Sequence, residues 1–220
     1  MNCNFTFAHY QEMLMIATSN GYEFLLASDL FETVAQPPFI VLGHDVDRSI
    51  DINNIRHMME IEREAGMRST WYFRLHAEYN LLFFKTYELI QLLLKGGNEV
   101  GIHFDTDFYT LFQSENEEDR IAQEVRIFKW VIGEKPKVAN VHNKDGSANG
   151  GAIFEDPLKR FGLYFADHTV LRKMGITYIS DSDNAWRERC LCTLIERGEP
   201  RIYATIHPSW WQRRSSCENY

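Results

Sequence analysis

The sequence predicts an α/β fold built on a parallel sheet or a βα barrel. Three observations carry that prediction. Short β-rich runs alternate with helical stretches along the chain, and most of the runs are apolar throughout, as strands buried on both faces are. A third is size: 220 residues with 45% hydrophobic content suffice for one domain with a sizeable core.

Taken in order, residues 1–36, with Tyr10, Met13, Leu14 and then Gly21, read as an N-terminal helical extension packed on a domain spanning 37–220. The strand runs are 39–42, 70–73, 99–102, 137–141, 176–179 and 202–206, most of them bounded by Gly, Pro, Asp or His. Between the first two, Ser49 is placed to cap a helix carrying Ile52, Ile55, Met58, Met59 and Ile61 and ending before Gly66. Residues 81–95 are dense in Leu, Phe and Tyr and stop at Gly96-Gly97. Ser114 and Glu117 have capping-box spacing and open a run with Ile121, Val125, Ile127, Phe128 and Trp130 on a 3.6-residue period. Shorter helical pieces are expected near 157–161 and 168–173.

Asp plus Glu number 31 against 23 Lys plus Arg, a net charge of −8, and there is no basic run. That balance excludes a nucleic-acid backbone or an anionic membrane surface as the natural partner. The N-terminus has no basic segment followed by an apolar run, and the longest apolar stretches fall short of the ~20 residues that span a bilayer. The expected protein is soluble and cytoplasmic, with no membrane span; the sequence is silent on oligomeric state. The cysteines are Cys3, Cys190, Cys192 and Cys217. Their spacing suits neither a disulfide framework nor a thiolate zinc site. Cys190 and Cys192 read as core thiols in a strand, and His9, His57, His76 and His168 as structural.

In α/β proteins reactive residues gather at the C-terminal ends of strands. Five of the predicted strands are followed closely by Asp or His: Gly43-His44-Asp45-Val46-Asp47, His103-Phe104-Asp105-Thr106-Asp107, His142-Asn143-Lys144-Asp145, Asp181 to Trp186, and His207-Pro208-Ser209-Trp210-Trp211. Asp45 and Asp47 are two apart, so they point the same way if the strand continues, and one metal ligand and one general base is a natural division of labour. His44 points oppositely and has no assigned role. Carboxylate and neutral imidazole are the donors of an open zinc-like site. His103 and His142, each following its own strand, complete that set, and Asp107 is a further possible ligand. His207 suits general-acid work. Trp186, Trp210 and Trp211 offer either a stacking face for a sugar or core filling. Arg74 and Lys144 are candidate substrate-binding cations.

These motifs resemble the polysaccharide deacetylase superfamily, the NodB-homology or carbohydrate esterase family 4 fold. They are closest to the divergent branch that opens with His-Asp-Val-Asp and includes the WbmS-like proteins of surface-polysaccharide biosynthesis. The resemblance runs from about Phe39 to Trp211. It implies a distorted βα barrel of about seven strands holding a divalent metal, zinc first. Asp45 would be the base and His207 the general acid. Asp47, His103 and His142 would form the metal triad, and Arg74, Asp181, Trp186 and Trp210 would face the substrate. It departs from the family pattern at Val46, at Asp107 where a second His is usual, and at 142–146, which replace an Arg-x-Pro motif. The implied activity is removal of an N-acetyl or other acyl amide group from a sugar or nucleotide-sugar precursor. The alternatives are a carbohydrate-binding relative without catalysis and a metal hydrolase of another C–N or ester bond.

Overall fold

The computed structural model describes residues 4–49, 51–105, 108, 117–142, 158–187 and 189–214. Asp107, Lys144, Ser114, Cys3 and Cys217 lie outside the described residues. Among the described residues no helix is long and apolar enough to cross a membrane.

Eight strands form one parallel sheet: β1 (Glu23–Leu25), β2 (Phe39–Val46), β3 (Thr70–Phe73), β4 (Glu99–Asp105), β5 (Val138–His142), β6 (Tyr164–Phe165), β7 (Thr177–Ser180) and β8 (Arg201–Ile206). Seven of them follow the order β6-β5-β4-β3-β2-β8-β7, and β1 lies beside the start of β2. Among the described residues no ladder joins β6 to β7, so the sheet curls into an open, distorted βα barrel, the predicted fold class. Helices occupy the crossovers that parallel strands require: α1 (Phe7–Ser19), α2 (Asp29–Glu32), α3 (Asp51–Glu64), α4 (Phe84–Lys95), α5 (Glu117–Ile132), α6 (His168–Lys173) and α7 (Leu191–Glu196).

Several local expectations change. The segment expected as a helical cap also contributes β1, and β1 and β6, at three and two residues, are too short to show a periodicity. Cys190 and Cys192 do not lie in a strand. Cys190 is the N-cap of α7, where Leu191, Cys192 and Ile195 bury one helical face and Gly198, at φ 71°, ends the turn. The backbone of Gln212 pairs with Phe5 and Phe7 at 2.9 Å, tying this segment to the start of α1.

Strand parity divides the core in two. Phe39, Val41, Tyr72, Val138 and Tyr203 point into the barrel and fill its lower half. Ile40, Leu42, Val46, Trp71, Phe73, Ile102, Phe104 and Ile206 point outward into the helix layer, where Tyr10, Met13, Ile55, Leu93 and Phe128 cover them. Each such fully buried side chain is worth about 1.5–3 kcal/mol of transfer free energy. Inside, Tyr72 and Tyr203 meet hydroxyl to hydroxyl at 2.9 Å. Two glycines make room for these rings. A Cβ on Gly43 would lie 2.5 Å from the Tyr203 hydroxyl, and one on Gly101 would lie 2.7 Å from Tyr72 Cδ1 and 2.9 Å from a Val138 methyl. Gly101→Ala is therefore expected to destabilise the protein by about 1–3 kcal/mol, by overpacking. Urea denaturation should show it as a lower midpoint at unchanged slope.

Candidate active site

The strands run further than their apolar cores suggest. β2 continues through Asp45, β4 through His103 and Asp105, and β5 through His142. Inner-face parity then extends upward from the tyrosine plug: Gly43 to Asp45, Gly101 to His103 and Asp105, Val138 to Asn140 and His142, Tyr203 to Thr205. The polar groups collect in the wide C-terminal mouth of the barrel, a cleft of about 1220 Å³ whose lining includes Asp45, Asp47, His103, His142, His207 and Trp210.

At the floor of this cleft Asp47 Oδ1 lies 3.2 Å from His103 Nε2 and 3.2 Å from His142 Nδ1. Ligand atoms of the three residues all fall within 4.8 Å of one another. Asp47 Oδ1 and His103 Nε2 are buried, yet neither has a hydrogen-bond partner. Converging lone pairs left unpaired in a buried site are costly without a cation to receive them. The 3.2 Å separations also match the ~3.3 Å ligand–ligand edge that follows from ~2.0–2.1 Å zinc bonds in a tetrahedron. The donor set therefore fits a divalent metal.

Asn140, which sequence reading missed, sets the protonation of this cluster. Its Nδ2 donates to Asp45 Oδ1 at 2.8 Å, and its Oδ1 faces His103 Nδ1 at 2.6 Å. A carboxylate only accepts, so the amide oxygen is left for the histidine and Nδ1 must carry the proton. In the neutral imidazole, the form a metal ligand takes, Nε2 is then the lone-pair nitrogen, turned toward Asp47. The available signal was parity: Asn140 stands two residues before His142 in a buried strand. Asp47 itself is held by Asp51, whose Oδ2 accepts the amides of Asp47 at 2.8 Å and Arg48 at 2.6 Å. Asp51 thus supplies a side-chain oxygen at this turn.

Across the cleft, His207 Nε2 lies 3.9 Å from Asp45 Oδ2 and 3.7 Å from Asp47 Oδ2. Its Nδ1 donates to Asp181 Oδ1 at 2.6 Å. Burial lowers the imidazole pKa, yet the Asp181 hydrogen bond and the charges of Asp181, Asp45 and Asp47 push it up to about 10. Asp181, expected to face substrate, is fully buried. Its two oxygens are taken up by the His207 amide and ring and by Trp211 Nε1 at 2.9 Å, so it stands behind His207. Asn54 of α3 donates to the carbonyls of Pro208 and Trp211, fixing the segment that carries Trp210.

The other expected substrate contacts divide. Trp210 lines the cleft with the Arg48 guanidinium 5.0 Å from its ring centroid. Trp186 does not line it; its ring stacks with Phe5 at 6.1 Å and meets Trp211 edge-on at 6.4 Å. Arg74 reaches the cleft wall, but it is buried and ion-paired with Asp105, with Nη1 3.9 Å from Asp47 Oδ1. Burial opposes the Asp105 charge and the Arg74 pair prevails, holding that carboxyl below its usual range. Asp105 had a sequence signal too, sharing the face of His103. His44 points away from the cleft, stacked on Trp71 at 3.8 Å with Nε2 2.8 Å from Glu62.

The chain matches no protein-family model and no curated protein sequence. Among solved structures it is similar to the chitin deacetylase of the fungal pathogen Colletotrichum lindemuthianum, with TM-score 0.50 and 14% identity over 84% of this chain and 77% of that one. It is likewise similar to a polysaccharide deacetylase from Bacillus cereus, with TM-score 0.50 and 12% identity over 77% of this chain and 78% of that one. At such identities the likeness bears on the fold alone, here a parallel sheet curled into an open βα barrel.

Proposed function

We propose that this chain is a metal-dependent hydrolase that removes an N-acetyl or other acyl amide group from a sugar precursor in polysaccharide biosynthesis. One observation carries the reading: a carboxylate and a histidine, Asp45 and His207, face each other at 3.9 Å beside a three-donor cluster. The names of the two fold neighbours, a chitin deacetylase and a polysaccharide deacetylase, support the same substrate class.

Asp47, His103 and His142 would hold the ion, with zinc the first choice for this donor set. When bound, the ion polarises the acyl carbonyl and lowers the pKa of a water. Asp45, braced by Asn140, takes the proton of the attacking water. His207 carries its Nδ1 proton against Asp181, so its Nε2 side is the one turned to the cleft, where it delivers a proton to the departing amine. Asp45 and His207 thus stand side by side at the centre, one taking a proton and the other giving one. Trp210 and Arg48 together support a substrate carrying both a stacking ring and an anionic group, as a nucleotide sugar does.

The test is metal quantification on purified protein, then acetate release from a panel of soluble acetylated sugars and nucleotide sugars. We expect about one ion per chain at this centre, acetate release from at least one soluble precursor, loss of release in chelator, and recovery with zinc. Release from polymeric chitin or peptidoglycan but from no soluble precursor would overturn the precursor assignment. Absence of a bound ion, with thermal stability unchanged in chelator, would replace the hydrolase with a carbohydrate-binding module.

A further inference from the structure

A second donor cluster lies in the helix layer outside the sheet. His9 of α1 and Cys190 and Cys192 at the start of α7 are all buried, at 4%, 5% and 1% exposure. His9 Nε2 is 3.5 Å from Cys190 Sγ, and Cys190 Sγ is 3.2 Å from Cys192 Sγ. All three ligand atoms fall within 4.8 Å of one another. The thioether of Met13, one helical turn beyond His9, lies 3.6 Å from Cys190 Sγ. We infer that His9, Cys190 and Cys192 form a buried site for a thiophilic divalent cation, zinc first, which staples α1 to the barrel.

Three features of the geometry support this assignment. First, His9 Nδ1 faces Glu12 Oε2 at 3.0 Å. The carboxylate only accepts, so Nδ1 carries the proton and the Nε2 lone pair is directed at the sulfurs, the carboxylate–histidine arrangement common behind metal ligands. Second, charge balances inside the layer. Two thiolates cancel a divalent cation and a neutral imidazole adds nothing, so the loaded site buries no net charge, whereas a univalent ion would leave one negative charge in an apolar layer. Third, the donors are soft or borderline, which selects zinc over magnesium or calcium. Binding exchanges two thiol protons for the cation, with no change of oxidation state.

The site joins residues about 180 positions apart in the chain, as the 181-residue separation of His9 and Cys190 shows. It cross-links the N-terminal helix to the last crossover of the barrel, and it does not depend on the hydrolase reading. The test is cobalt(II) substitution of the full chain under reducing conditions, read as thiolate-to-cobalt charge-transfer absorption, alongside zinc stoichiometry. The band is expected in the wild type, in a Cys3→Ser/Cys217→Ser variant, and in His142→Ala, which lacks the cleft ligand. It should vanish in Cys190→Ser/Cys192→Ser, with zinc content lower by one ion per chain. A wild type without the band, a band lost with Cys3 and Cys217, or zinc content unchanged in Cys190→Ser/Cys192→Ser overturns the site. Should that last variant fail to fold, the wild-type and Cys3→Ser/Cys217→Ser spectra decide by themselves.

Discussion

Asp45→Asn is expected to lower turnover of the acetylated sugar by about 10²–10⁴-fold, the usual worth of a positioned general base, while metal content stays at the wild-type level. Asp45 has one oxygen held by Asn140 at 2.8 Å, and the other lies 3.8 Å from His103 Nε2 and 3.9 Å from His207 Nε2. An asparagine keeps the shape and can still accept from Asn140 through its amide oxygen, so the fold and the donor cluster survive. What it loses is the basic oxygen facing the reacting centre. Acetate release and atomic emission measured on the same sample separate the outcomes. Full activity in Asp45→Asn removes the base assignment. Loss of the metal together with activity moves Asp45 into the ligand set.

The second large effect lies across the cleft. His207→Ala is expected to cost about 10²–10⁴-fold in kcat, by removing the proton donor to the leaving amine. Asp181→Asn separates that role from simple packing, because Asp181 is fully buried and acts through His207. A general acid must be protonated, so the rate falls as pH rises through its pKa. The Asp181 carboxylate favours the imidazolium and is a leading reason that the His207 pKa stands at about 10. Removing that charge lowers the pKa, and the alkaline limb of the kcat profile should move to lower pH, with KM much less affected. The asparagine amide also turns a donor toward either the His207 or the Trp211 N–H, costing about 1–3 kcal/mol of stability. A lower melting temperature with an unmoved alkaline limb would reduce Asp181 to a structural residue.

The alternation of apolar strands and amphipathic helices was legible locally, because burial on two faces leaves an apolar run and burial on one face leaves a 3.6-residue period. The exceptions were elements too brief to carry a period, β1 and β6, and the Cys190–Cys192 segment, where two buried residues two apart fit a strand as well as the first turn of a helix. The cleft was partly legible for the same local reason. Asp45 and Asp47, and likewise His103 and Asp105, are two apart on strands whose inner face ends in the mouth of the barrel. Asn140 obeys the same parity beside His142, yet an asparagine in a strand carries no chemical signal until its two partners are known.

By itself, then, the sequence determined which residues share a face and which strand ends carry Asp and His, since both follow from the two-residue period of a single strand. Only the tertiary structure decided who meets whom. Strand order set β8 beside β7, bringing Asp181 behind His207 rather than into the lining of the cleft. The register of β3 on β4 placed Arg74 against Asp105, where its charge is taken up within the protein. Packing of α1 on α7 brought His9 to Cys190 and Cys192, although no spacing of cysteines along the chain suggests a site. Such partners are joined by long-range closure of the chain, and their positions depend on the whole arrangement of sheet and helices rather than on any local pattern.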